Sequence, residues 1–421
     1  MSAYINMIMT CIMEIIDLDC SILRKQIRRQ ETVMQKDIYI WGAGKYGDMA
    51  YFCYRDECNI LGYIDSMPEK CGTLKNGILI YAPDILKNKA AAVVIAVRNN
   101  EGIERTLREQ YAIQSIFYFR CVEDAVSAVM DDSCLKEALP KDAVIIHFSG
   151  GLGNQMFQYA LMKNYLLKKE NVYADLSDYQ KAEGGIFQLT EVFRNIQIQT
   201  CDAGQKYQLA KRYLDGDIDG KFIIEGEIKY EIDNAGLNVE TGFIKGLHQN
   251  YYFPLIIREQ LLQDFQFNLT ADRHLQELCE SMRVRNNIVA VHVRRGDYLS
   301  GKYLHALGDV CTEAYYSKAM DYMEQSVEDC IFYFFSDDIE WVKEHYRRNN
   351  AVYIESKMFA GYQNWFDMCL MSFCSHHIIA NSTYSWWGAW LNPRKKIVIA
   401  PKTWARTKNF ADICPSEWIR M

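Results

Sequence analysis

The chain has 421 residues, with 47 Lys+Arg against 54 Asp+Glu and a formal net charge of −7. Its 49% hydrophobic and 24% charged residues are the mix of a globular protein and exclude a disordered one. A pI near 5.7 excludes a general nucleic-acid binder, so any anionic ligand must be held by local cations and not by the overall field.

The apolar stretch from Ile5 to Ile16, broken by Thr10 and Glu14, is too short to span a bilayer. It also lacks the basic start and small-residue exit of a signal peptide. Running on into "SILRKQIRRQ", it reads as an amphipathic helix over residues 1–30. The basic end from Arg24 to Arg29 is either solvated or rests on an anionic membrane. The expected location is cytoplasmic, with at most a peripheral contact at the inner face of the membrane. Fourteen cysteines scattered from Cys11 to Cys414, none in a Cys-x-x-Cys pair, suit free thiols in a reducing compartment.

A first unit, residues 31–135, opens with "DIYIWGAGKYGDMAYF". Ile38 and Ile40 belong to a buried strand, and Gly42, Gly44 and Gly47 form a Gly-x-Gly-x-x-Gly turn into a helix. "ILGYID" ends at Asp65 and "AAVVIAV" at Val97. This alternation predicts a small doubly wound α/β domain, with Gly42, Gly44, Gly47 and Asp65 as a candidate nucleotide turn. The polar stretch from Asp124 to Asp142, which contains Pro140, marks its end.

"AVIIHF" (Ala143 to Phe148) is a strand of the kind buried on both faces. It enters "SGGLGNQ", where Gly150, Gly151 and Gly153 let backbone approach a ligand, and Asn154 and Gln155 offer amides at a helix start. The loop lacks the Lys-Ser/Thr ending of a phosphate-binding NTPase loop, which disfavours ATP hydrolysis. Beyond it, "NIVAVHVRRGDY", "IFYFFSDD", "HHIIANSTYSWWGAWLN" and "KKIVIAPKTW" each carry a short β-branched or aromatic run that ends in polar residues. Ligands of open parallel sheets bind at those strand ends.

Strand alternation puts His292 and Arg294 on one face, and Arg295 with Val291 and Val293 on the other. Gly296 permits a sharp turn, with Asp297 in the loop. Adjacent arginines at the end of an apolar strand are costly to bury unless they meet anions. A diphosphate suits planar guanidiniums; the alternative for either arginine is an interior carboxylate such as Asp337, and it weighs more for Arg295, whose face can look into the core. Asp337 and Asp338, neighbours at a strand end, point apart and do not form the facing pair of a glycosidase. One of them could take a base edge or a ribose hydroxyl. Asn381, Ser382 and Thr383 suit the start of a helix, where free N–H groups stabilise phosphate; plain N-capping is the alternative. Tyr384, Trp386, Trp387 and Trp390 read as core packing before ligand stacking.

The strings "HFSGGLGNQMFQYA", "VAVHVRRGDY", "FFSDD" and "MSFCSHHIIANSTYSWWGAWLN", in this order, closely resemble the bacterial α-1,2-fucosyltransferases of glycosyltransferase family 11. The resemblance runs from about Ala143 to the C-terminus. It implies an α/β fold of the GT-B type, two Rossmann-like lobes facing a cleft, here preceded by the extra domain. Residues 143–285 would form the acceptor lobe and 286–421 the donor lobe. It further implies GDP-fucose as donor, the 2-hydroxyl of a galactoside-type glycan as acceptor, inversion at the anomeric carbon, and no metal or other cofactor. The setting would be surface polysaccharide or oligosaccharide synthesis.

On that likeness Arg294 and Arg295 hold the diphosphate, His292 and Asp337 the nucleoside, and Asn381, Ser382 and Thr383 the phosphates. The loop with Gly151, Gly153, Asn154 and Gln155 faces donor and acceptor. Where the family usually has Gly-Tyr-Trp-Gln, this chain has Gly246, Leu247, His248 and Gln249, so His248 and Gln249 would give the acceptor side an atypical lining. Asp297 is the candidate base for the acceptor hydroxyl. The rival reading is an NAD-dependent sugar oxidoreductase built on the first glycine turn, although no recognisable Tyr-x-x-x-Lys or catalytic His arrangement lies near that turn. Expected partners are a nucleotide sugar and a glycan, with no nucleic acid; the sequence leaves the oligomeric state open.

Overall fold

The computed structural model describes residues 37–54, 58–87, 91–97, 102–119, 138–180, 185–202, 204–206, 208–209, 212, 223–224, 242–299, 301–394, 397–407 and 413–421. The expected N-terminal amphipathic helix and most of the polar stretch from Asp124 lie outside these residues. Among the described residues, no helix is long and apolar enough to cross a membrane.

The chain divides into two compact units. The first comprises residues 1–143, 201–222 and 239–242; the second comprises 144–200, 223–238 and 243–421. The described residues between 201 and 212 therefore belong with the first unit, although the sequence reading places them in the acceptor lobe. One tie is the Arg212 guanidinium, which donates to the Leu139 carbonyl at 2.7 Å.

In the first unit, strands β1 (Asp37–Trp41), β2 (Asn59–Ile64), β3 (Leu74–Lys75), β4 (Ile78–Tyr81), β5 (Ala92–Ile95) and β6 (Ile116–Tyr118) line up as β3-β4-β2-β1-β5-β6. All pairs are parallel except the β3–β4 hairpin. Apart from that hairpin the order is that of a doubly wound nucleotide-binding half. The uninterrupted apolar sequences of β1 and β5 follow from burial on both faces, and Tyr39, Trp41, Val93 and Ile95 share one core with Leu107 of helix α2 (Ile103–Glu109).

The turn from β1 into helix α1 (Lys45–Tyr54) is closely packed. Gly42 has φ +114°, and a Cβ on Gly47 would lie 1.8 Å from the Gly42 carbonyl oxygen, whereas a Cβ on Gly44 would meet nothing within 4 Å. Gly47→Ala is therefore expected to lower the stability of this unit by about 3 kcal/mol, read as an earlier thermal transition, because the neighbour it strikes is backbone and cannot turn aside.

The second unit contains two sheets. β7 (Val144–His147), β8 (Val172–Asp175), β9 (Ile223–Ile224) and β10 (Gly242–Lys245) order as β8-β7-β10-β9. β11 (Ile288–Val293), β12 (Ile331–Ser336), β13 (Ala351–Tyr353), β14 (His376–Ile378), β15 (Val398–Ala400) and β16 (Ile419–Arg420) order as β13-β12-β11-β14-β15-β16, all parallel. This is the 3-2-1-4-5-6 Rossmann order, and its direction reverses between β11 and β14.

The two sheets cluster as one unit because the helices that follow β7 and β14 share a core. Those helices are α3 (Leu152–Leu166) and α8 (Thr383–Trp390), the latter numbered after α4 (Gly301–Leu307), α5 (Glu313–Ser326), α6 (Ile339–His345) and α7 (Phe366–Phe373). Phe157 of α3 lies 4.6 Å from Trp386 and 5.0 Å from Trp387, centroid to centroid, and all three rings are fully buried. Trp386, Trp387 and Trp390 are thus core residues. Two parallel sheets that meet through the helices following their carboxyl ends form the two-lobed GT-B arrangement.

Candidate functional site

A Rossmann sheet opens a crevice where its strand order reverses, beyond the carboxyl ends of the two central strands. Here those strands are β11, which runs into His292, Val293 and Arg294, and β14, which runs into Asn381 to Thr383. The sequence motifs therefore fall at the one place in this sheet where the topology leaves a gap.

His292 is enclosed, and its Nδ1 has no hydrogen-bond partner among the described residues. Burial, aided by the positive charge of Arg294, pushes its pKa down to about 3, so the imidazole is neutral. Its ring sits 5.9 Å from that of Tyr384 in α8.

Arg294 is gripped by two carboxylates. Nε and Nη2 donate to Asp297 Oδ1 at 3.1 and 2.8 Å, and Nη1 lies 3.0 Å from Asp337 Oδ2. The guanidinium also stands 5.7 Å from the Tyr298 ring centre, and the Tyr298 hydroxyl donates to the Asn381 carbonyl at 3.0 Å. A short chain of contacts thereby joins Arg294 to the tip of α8. At that tip the Ser382 hydroxyl caps the Tyr384 N–H, and the Asn381 amide donates to the carbonyls of Leu307 and Trp404. The Asn381 side chain is committed to shaping the loop, and the backbone groups of the first turn supply the positive end of the helix.

Arg295 goes elsewhere. Its guanidinium stacks 3.6 Å from the Trp341 ring centre of α6 and pairs with Asp338 at 3.0 Å. The alternation of β11 carried past its end accounts for this, since consecutive side chains leave on opposite faces. The structure joins one guanidinium to the helix tip, where the sequence suggested two. Asp337 accepts both from the Arg294 side chain and from the Arg295 N–H at 2.9 Å, and its Oδ2 occupies the space beside Gly296, 2.5 Å from where a Cβ would stand.

Across the cleft, α3 brings its N-terminus against that of α8. A Cβ on Gly153 would lie 2.7 Å from the Thr383 carbonyl carbon, and Trp387 Nε1 donates to the Gly153 carbonyl at 2.9 Å. The Asn154 carboxamide oxygen accepts from Thr383 Oγ1 at 3.1 Å and from Gln249 Nε2 at 3.0 Å, so it ties the tip of α8 to the 246–249 loop. Gln155 is an internal brace: it donates to the carbonyls of Gly150 and Ile186 and accepts from the N–H groups of Gln188 and Leu189. His248 is buried with φ 49°, in a left-handed turn that aims the loop toward Asn154. Gly151 is the exposed N-cap residue of α3.

Sequence reasoning missed Asp367. Its carboxyl is surrounded by protein yet still touched by solvent, and burial pushes its pKa up to about 7 against the hydrogen bond from Tyr362. It stands beside the Tyr384 hydroxyl, which accepts from the Met368 N–H at 2.9 Å and donates to the Asn364 carbonyl. The available signal was one acidic residue in the otherwise uncharged helix "FDMCLMSF".

In the first unit, the Asp65 carboxylate closes the glycine turn on itself. It accepts from the N–H groups of Ala43 at 3.1 Å and Met67 at 3.0 Å, and it pairs with Lys70 at 3.0 Å. Burial opposes ionisation, but the Met67, Lys70 and Ala43 hydrogen bonds outweigh it and hold the pKa below the usual carboxylate range.

A family model for glycosyl transferase family 11 matches residues 122–421. Over 305 residues the chain is 33% identical to an alpha-1,2-colitosyltransferase of Escherichia coli, a match that covers 66% of this chain and 98% of the relative. It is 30% identical over 308 residues to the O-antigen biosynthesis glycosyltransferase WbnK of Escherichia coli, covering 65% and 98%. A shorter match, 33% over 162 residues, covers 35% of this chain and 42% of the galactoside alpha-(1,2)-fucosyltransferase 1 of Leontopithecus chrysomelas. With its motifs gathered at the crevice and its family match running through the whole second half, the chain belongs to glycosyltransferase family 11 and is a glycosyl-transferring enzyme.

Proposed function

We propose that the protein transfers L-fucose from GDP-fucose to the 2-hydroxyl of a galactoside-type glycan, with inversion at the anomeric carbon. The observation that carries this reading is the junction of Arg294, Tyr298 and the α8 tip at the switch point, directly across from Asn154. Displacing GDP builds negative charge on the β-phosphate. A guanidinium and a helix N-terminus already fixed in place stabilise that charge without reorganising.

The nucleoside falls to the neutral His292, to Asp337 and to Asp367. The enclosed Asp367 carboxyl suits the N–H edge of a guanine, because donors from the base would hold it ionised. Asp297 is neutralised by Arg294 in the free enzyme. A diphosphate that takes over the guanidinium frees this carboxylate, which then accepts the proton of the attacking hydroxyl, so deprotonation waits for the donor. Arg295 supports the site from behind, by stacking on Trp341. Gly153 and Asn154 bring the acceptor loop up to the phosphates, and Gln249 with His248 lines the acceptor side. No cofactor enters this scheme.

The relative named a colitosyltransferase supports a second donor, since colitose is fucose without its 3-hydroxyl. The name of WbnK supports surface polysaccharide synthesis as the setting. An oxidoreductase on the first glycine turn is disfavoured, because the carboxylate that should meet a ribose is engaged with Ala43, Met67 and Lys70. Incubating the enzyme with GDP-fucose or GDP-colitose and a set of β-galactosides, with the linkage read by NMR, is expected to give an α-1,2 product. Transfer to another hydroxyl, or none from either donor, would overturn the proposal.

A further inference from the structure

A second charged cluster lies in the same unit, below the glycine loop, and the scheme above makes no use of it. His147 is the last residue of β7 and is 4% exposed. Its Nδ1 lies 2.7 Å from Asp175 Oδ2, at the end of β8, and its Nε2 lies 3.0 Å from Asp178 Oδ2, in the 3₁₀ turn Ser177–Gln180. A neutral imidazole carries one N–H and would have to aim a lone pair at one of these carboxylates; only the imidazolium donates to both. The Phe243 ring of β10, 5.8 Å away, closes the remaining side without charge.

The carboxylates are themselves part of a frame. Asp175 accepts from the Ser177 N–H and hydroxyl, which fixes the start of the 3₁₀ turn. One residue past Asp178, the Tyr179 hydroxyl donates to the Gly150 carbonyl at 2.9 Å, and its ring packs 5.4 Å from Phe187. Gly150 begins the loop whose Asn154 links Gln249 to Thr383.

We infer that His147 is a positioning residue: as an imidazolium it clamps the Asp175–Tyr179 turn to the end of β7, and through Tyr179 it sets the glycine loop that receives the acceptor. The acceptor part of this inference rests on the proposed function. With a proton on each nitrogen His147 cannot serve as the base. Burial alone would favour the neutral ring, but the hydrogen bonds and charges of Asp175 and Asp178 outweigh it and raise the pKa. The clamp is therefore whole below the ordinary histidine value of about 6.5 and is lost as pH rises through the raised folded-state value. Acceptor use should fall on the alkaline side.

Two measurements on the full chain test this. In a ¹⁵N NMR titration, with His147→Gln supplying the assignment, both ring nitrogens of His147 are expected to be protonated at pH 7 and to titrate above the ordinary range. In kinetics with GDP-fucose and lactose as the probe acceptor, His147→Gln should lower kcat/KM for lactose about 10–100-fold and abolish the alkaline fall. Affinity for GDP by calorimetry should stay within about twofold, and His147→Lys should carry activity to higher pH. A neutral ring at pH 7, or an alkaline fall that persists in His147→Gln, overturns the clamp. The NMR titration needs no acceptor, so a wild-type enzyme that fails to use lactose counts against the proposed function and leaves the clamp to be decided by protonation.

Discussion

Arg294→Ala is expected to lower kcat/KM for GDP-fucose by about 10³-fold or more. On the proposed reaction one guanidinium serves where the sequence offered two, and each charge-assisted contact to a phosphate contributes about 1.5–3 kcal/mol. Its removal also leaves Asp297 and Asp337 facing the diphosphate with no cation between them, so repulsion adds to the lost attraction. Lysine should not rescue, because a compact ammonium lacks the planar fork that spans Asp297 and Asp337 in the free enzyme and that, once the donor displaces Asp297, meets two phosphate oxygens side by side. Steady-state kinetics and GDP calorimetry read both parts. Near-wild-type turnover would remove Arg294 from leaving-group stabilisation.

Gly153→Ala should produce the second-largest loss, about 10²-fold in kcat, with GDP binding retained. The added methyl would lie 2.7 Å from the Thr383 carbonyl carbon and 2.8 Å from the Tyr384 N–H. Backbone at the first turn of α8 cannot turn aside as a long side chain would, so the two helix tips must part. Separation by even a fraction of an ångström breaks the 3.1 Å Asn154–Thr383 contact and misplaces the acceptor loop relative to the phosphates. Overpacking should also cost about 1–3 kcal/mol of stability. An alanine variant with unchanged kcat would show that the approach of the two tips is dispensable.

Much of this site is legible in the sequence because its parts are local. Gly42, Gly47 and Gly153 announce places where backbone comes close to backbone. Ser382 is placed to cap the helix that follows it, and the alternation along "AVHVRR" separates Arg294 from Arg295. What the sequence does not carry is which partner each charge finds across the fold. The grip on Arg294 by Asp337, 43 positions away, arises only when β11 pairs with β12. Asp175 and Asp178 meet His147 because β7 and β8 lie side by side. Asp367 looked like one polar residue on an apolar helix, and its setting depends on Tyr384, which arrives from α8. The membership of the described residues between 201 and 212 in the first unit has no local signal at all.

The ring of Phe157 packed against both Trp386 and Trp387, which also touch each other, has a mechanical consequence. Enzymes assembled from two Rossmann halves can admit large substrates by swinging the halves apart about a hinge. In this chain such a swing would have to pull dry aromatic surface into water and break the Trp387 bond to Gly153, which makes the seam behave as a weld. On the proposed reaction, entry of the donor and escape of the spent nucleotide then fall to the loops at the rim, and the pace of turnover is expected to follow them.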